Sequence, residues 1–127
     1  KARTLPGVDP ALVVGIGASI GADAVVDACG EGCLGAISLG PGSYLNVLYP
    51  EAVTTVDKAG KPVWCVAAED QAEDAQTCRS ASGDHYQMQI YETGGHAMRL
   101  FRAENDLQPP IDSLIVDFLN QVFNLAP

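Results

Sequence analysis

Apolar and polar positions along this chain fall into blocks that switch between strand-like and helix-like periods. Residues 11–16 (Ala11 to Ile16) form a short continuous apolar run rich in β-branched side chains, which predicts a strand buried on both faces. Ile20 to Cys29 then reads as a helix with Ala24, Val25, Ala28 and Cys29 on one face, stopped by Gly30. Leu34 to Leu39 is a second apolar run, closed by Gly40-Pro41-Gly42. A mixed loop from Tyr44 to Tyr49 leads to a short helix around Pro50 to Lys58, and Pro62 opens a third strand, Val63 to Ala68. Gln71 to Ser82 predicts a weak, polar helix with Ala72, Ala75 and Cys78 inward. Tyr86 to Tyr91 alternates, Tyr86, Met88 and Ile90 one way and Gln87, Gln89 and Tyr91 the other, as suits a strand near a sheet edge. Ile111, Leu114, Ile115, Phe118, Leu119, Val122 and Phe123 make one apolar helical stripe, with Pro110 at its first turn.

Strand and helix alternate throughout, the pattern of a parallel sheet with helices on both faces. The expected architecture is α/β: about four mostly parallel strands in one domain over residues 1–127, with residues 1–10 an irregular lead-in. At the end of the first strand, Gly17-Ala18-Ser19-Ile20-Gly21 fits G-x-S-x-G, a sharp strand-to-helix turn that lifts a serine hydroxyl clear of the backbone. Strand and helix backbones nearly touch in such a turn, and Gly17, Ala18, Gly21 and Ala22 supply the small residues it needs.

Composition narrows the partners. Apolar residues make up 47% of the 127 residues and charged ones 18%, a globular balance. The net charge of −9, without a basic cluster, argues against nucleic acid and anionic membrane and favours a small-molecule substrate. No apolar run reaches the roughly 18 residues of a membrane span. A lysine at position 1 suggests a processed or excised start, and no leader-like segment assigns a compartment. Cys29-x3-Cys33 has no matching histidine pair, so neither a zinc site nor another metal or cofactor is expected. Cys29 with Cys33 and Cys65 with Cys78 are candidate disulfides, and free thiols are an equal alternative.

In open parallel sheets, functional groups gather at the carboxyl ends of strands. Three such ends here carry Ser19, Asp70 and His96. A serine hydroxyl needs a base to take its proton, imidazole is the base available near neutral pH, and a carboxylate fixes the imidazole tautomer. Asp70 has rivals in Glu69, which should point away at the strand end, and Asp74, read as facing solvent a turn into the helix. His85, at the amino end of the fourth strand, is read as a solvated loop residue. Trp64 reads as core, and Tyr44 is a candidate wall of a substrate pocket.

Gly17-Ala18-Ser19-Ile20-Gly21, the strand Val63-Trp64-Cys65-Val66-Ala67-Ala68 leading to Asp70, and Gly94-Gly95-His96 before an amphipathic last helix resemble serine α/β-hydrolases, nearest the dienelactone-hydrolase-like esterases. The likeness runs from about Val13 to Phe123 and covers only the C-terminal half of that fold, so a truncated α/β-hydrolase fold is expected. It implies Ser19 as nucleophile, Asp70 as orienting acid, His96 as general base and the Ile20 backbone N–H as one oxyanion-hole donor. Such esterases carry several strands before the elbow, including the loop that gives the second oxyanion donor, and a glycine often stands where this chain has Ala97. A missing strand would leave the first strand with an open edge, which predicts self-association as a homodimer through that edge. The expected function is hydrolysis of short-chain carboxylic esters through an acyl-enzyme. The alternative is a non-catalytic or weakly active fragment serving as an oligomeric binding module.

Overall fold

The computed structural model describes residues 1–124. Its strands are β1 (Val13–Ala18), β2 (Cys33–Leu39), β3 (Val63–Ala68) and β4 (Tyr86–Tyr91). Its helices are α1 (Ile20–Asp27), α2 (Tyr49–Lys58), α3 (Ala72–Ser80) and α4 (Ile111–Val122). Short 3-10 turns stand at Ala2–Thr4, Ala97–Phe101 and Ala103–Asn105. The strands form one four-stranded sheet in the order β1-β2-β3-β4, and all three ladders are parallel. This is the α/β architecture expected from the alternating periods.

Consecutive strand order with crossovers of one hand places every crossover helix over the same face. Val26 of α1, Val53 and Val56 of α2 and Ala75 of α3 accordingly pack together on Ala36, Val63, Cys65 and Ala67. The other face belongs to α4, whose Ile111, Leu114 and Phe118 cover Ile37, Leu39, Val66 and Ala68. Successive residues of β3 thus enter opposite cores, which is why the strand reads as unbroken apolar sequence rather than as an alternation. Trp64 meets Phe118 edge-on with ring centroids 5.2 Å apart, a favoured aromatic geometry.

The sulfurs of Cys29 and Cys33 are bonded, as are those of Cys65 and Cys78. The first bridge joins the segment after α1 to the start of β2; the second staples α3 to β3. Among the described residues no helix is long and apolar enough to cross a membrane.

Three readings of faces need correction. β1 is not buried on both faces: it lies at the sheet edge, α4 covers the middle of the sheet, and Ile16 remains 43% exposed. In α1 the fully buried side chains are Ala22, Asp23 and Val26; Ala24 is half-buried and Ala28 exposed, while Val25 packs toward Gly15. In α3, Ala72 is exposed and Asp74 takes an inward place beside Ala75 and Cys78.

The β1–α1 turn explains why α1 sits as it does. A Cβ on Gly17 would stand 2.1 Å from the Gly21 carbonyl oxygen, so the two backbones touch where a side chain would be. Gly21 itself has open space around its Cβ position. The close approach therefore rests on Gly17, not equally on both glycines. Gly17→Ala is expected to destabilise the fold on the order of 3 kcal/mol through overpacking. Gly21→Ala should be neutral or stabilising by up to about 1 kcal/mol, the helix-propensity difference. Urea unfolding of the two variants checks both; equal losses would overturn the assignment.

Candidate active site

Parallel strands deliver their C-terminal ends to one rim of the sheet, and the chemistry-bearing side chains collect there. Ser19 stands between β1 and α1 with φ 57° and ψ −125°, a backbone conformation that non-glycine residues rarely adopt. Strain of this kind amounts to about 1–3 kcal/mol and persists only where the surroundings impose it. Here the Ser19 N–H donates to the Leu39 carbonyl at the end of β2 (3.0 Å), and the Ser19 carbonyl accepts from Ala22 in the first turn of α1 (2.9 Å). Those bonds hold the turn while the side chain points off it. Ile20 is the first residue of α1, and the leading N–H groups of a helix have no intrahelical acceptor.

The Ser19 hydroxyl oxygen is 2.9 Å from His96 Nε2. On the far side of the ring, His96 Nδ1 is 2.6 Å from Asp74 Oδ2. Serine, imidazole and carboxylate therefore form one hydrogen-bonded line, with Ser19 donating to Nε2 and Nδ1–H donating to Asp74 in the tautomer this line requires. Asp74 is 4% exposed, and its negative charge has the ring as its direct partner. Gly40 at the end of β2 makes room for that carboxylate: a Cβ there would lie 2.8 Å from Asp74 Oδ2 and 3.0 Å from the Ala97 nitrogen.

The carboxylate that meets His96 is thus Asp74, where Asp70 was expected. Asp70 sits at the predicted strand end, but its oxygens accept the backbone N–H groups of Gly94 (3.2 Å) and Gly95 (3.1 Å) instead of reaching the ring. It anchors the loop that carries the histidine. Asn105 secures the same loop by donating to the carbonyls of Gly94 (3.0 Å) and Arg99 (2.8 Å). The signal for Asp74 was present in the helical period: it stands one position before Ala75 and one turn before Cys78, both read as inward.

The remaining candidates also have definite places. Glu69 is exposed and paired with Arg79. His85 lies at the amino end of β4, its side chain 46% exposed and its Nδ1 3.1 Å from Asp57. The His85 backbone N–H is the main cause that holds the Asp57 carboxyl below its ordinary range. Tyr44 lines, with Asp70, Gln71, Glu73, Asp74 and His96, a hollow of about 330 Å³ on the acid side of the imidazole. Ala97 has φ 53°, a left-handed conformation that explains why glycine suits the position after the histidine. Among the described residues no cluster of His, Cys, Asp and Glu could hold a metal ion.

Asp23 escaped sequence reasoning entirely. It is fully buried in the first turn of α1 and accepts the N–H groups of Gly42 (3.2 Å) and Tyr44. Helix α1 thereby holds the loop after β2, and Tyr44 with it. A carboxylate at a helix N-terminus is electrostatically favoured, but nothing local in the sequence names a loop 19 or 21 residues away as its partner.

Comparison with family models, with curated proteins and with solved structures gives no match. The site is therefore read from its own geometry. If this site hydrolyses an ester with Asp74 orienting the imidazole, Asp74→Asn is expected to lower kcat on the order of 10,000-fold by favouring the wrong tautomer. Asp70→Asn keeps an acceptor oxygen for the loop amides and is expected to lower kcat about tenfold or less, roughly the worth of one hydrogen bond. Steady-state ester hydrolysis by both variants checks this; a larger loss from Asp70→Asn would reverse the two roles.

Proposed function

We propose that this chain is a serine hydrolase that cleaves short-chain carboxylic esters, in the manner of the α/β-hydrolases it resembles. The observation that carries the proposal is the unbroken Ser19–His96–Asp74 line, with contacts of 2.9 and 2.6 Å, built on a strained turn at the rim of a parallel sheet.

In this reading the Ser19 oxygen attacks the ester carbonyl carbon as its proton passes to His96 Nε2, and Asp74 stabilises the imidazolium through Nδ1–H. The tetrahedral oxyanion accepts a hydrogen bond from the Ile20 N–H. Collapse breaks the bond to the alcohol oxygen, which leaves with the proton from His96. Water, deprotonated by the same nitrogen, then attacks the acyl-enzyme and releases the acid and free Ser19. Tyr44 is the candidate wall for the bound ester. Incubation with p-nitrophenyl acetate and with a fluorophosphonate probe, beside Ser19→Ala, tests it. Turnover and stoichiometric labelling that vanish in the variant are expected. Absence of labelling of the intact chain would sink the enzyme reading and favour the second one, a binding module that keeps an idle triad.

The open edge of β1 supports a partner for this site. Leu12 before β1, Ile16 within it and Ile20 after it are 52%, 43% and 58% exposed, and an unpaired edge strand beside apolar surface invites pairing. The proposed occupant is a second copy, giving a homodimer whose interface runs past Ser19. Light scattering at working concentration should give the dimer mass, with Ile16→Lys shifting it to monomer; a clean monomer of the unaltered chain overturns it.

A further inference from the structure

Helix α3 carries the carboxylate that meets His96, yet it has little apolar surface with which to hold itself in place. Its nine residues, Ala72-Glu73-Asp74-Ala75-Gln76-Thr77-Cys78-Arg79-Ser80, bury only Asp74, Ala75 and Cys78. A helix this short is marginal without tertiary support, and the methyl of Ala75 gives about 0.8 kcal/mol on burial. Burying a carboxylate works in the opposite direction. No side chain caps the helix at Gln71. Some other interaction must keep Asp74 at 2.6 Å from the imidazole.

Cys78 stands one helical turn after Asp74 on the same face, and its sulfur is bonded to that of Cys65 in the middle of β3. Both cysteines are fully buried. Tyr86 reinforces the attachment by donating its hydroxyl to the Cys78 carbonyl at 2.6 Å. Asp70, which pins the histidine loop, lies inside the segment that the bridge closes. The Cys29–Cys33 bridge, by contrast, is at the start of β2, the end of the sheet away from Ser19 and His96.

We propose that the Cys65–Cys78 disulfide is a positioning device for the reaction: it acts through α3 to hold the Asp74 carboxylate against His96 Nδ1. The inference rests on the hydrolase reading above. It assigns this bridge a role in rate that the other bridge does not share.

The test compares Cys65→Ala/Cys78→Ala with Cys29→Ala/Cys33→Ala, each leaving the other bridge intact. Loss of the Cys65–Cys78 bridge is expected to lower kcat by about 10- to 100-fold, the scale of a misplaced catalytic group, with KM changed by less than about twofold. The control is expected to keep kcat within about twofold. In an Asp74→Asn background, removing the Cys65–Cys78 bridge should cost no more than about a further twofold, because coupled residues are not additive. A folded bridge-free chain with unaltered kcat, an equal loss in the control, or additive losses with Asp74→Asn would each overturn the proposal. Should the alanine pair not fold by circular dichroism, Cys65→Val/Cys78→Ala refills the core. Failure of that variant as well would overturn it in favour of a general stabilising role. If the unaltered chain shows no turnover, the hydrolase reading fails separately. The positioning claim is then read from the downfield proton resonance of His96 Nδ1–H, expected in the bridged chain and absent without the bridge; the same signal in both, or in neither, overturns it.

Discussion

The backbone contact between Gly17 and Gly21 is the constraint from which the rest of the site follows. With no Cβ at Gly17, the end of β1 and the first turn of α1 lie against each other, and the residue between them has to take a positive φ. That residue is Ser19. Its strain is borne by ordinary backbone hydrogen bonds to Leu39 and Ala22, and its side chain is left free for a partner. The same contact sets the roll of α1, which turns Asp23 inward to fix the Gly42–Tyr44 loop. One missing methyl group thus determines a turn, a helix orientation and one wall of the hollow.

His96 is held from a different direction. Its loop is fastened to the end of β3 by Asp70 and to its own later turn by Asn105, while its ring is oriented by Asp74 from α3. Two carboxylates four positions apart therefore divide the work of orientation, one acting on backbone and one on the ring. β3 is the common support: Asp70 follows it in the chain, and α3 is stapled to it through Cys65.

The sheet itself imposes an asymmetry. β3 enters two cores and is buried at every position but the half-buried Trp64, whereas β1, which presents the serine, is an edge strand with half-buried or exposed side chains. Rim sites in parallel sheets ordinarily have protein on both flanks, which excludes water and supplies polar groups to the reacting atoms. Among the described residues β1 is the terminal strand of the sheet, and the hollow that forms beside His96 lies on its acid side.

Much of this was legible in the sequence. The strand-like and helix-like periods placed β3 and β4 at their observed bounds and the alternation implied the parallel sheet, because backbone hydrogen bonding and burial impose those periods locally. The glycines around Ser19 revealed the turn for the same reason: a close approach leaves a mark on the residues that make it. The choice between Asp70 and Asp74 was different. Both stand near the end of β3, both are acidic, and which one reaches His96 depends on the roll of α3 about its axis and on the room left by Gly40 across the sheet. The partner of Asp23 and the exposure of β1 likewise depend on groups distant along the chain. The elements and the serine turn arise from neighbours within a few residues, and so they are written in the order of the chain. Which carboxylate completes the line to Ser19 is set by packing, because it is a matter of distance between elements far apart in the chain.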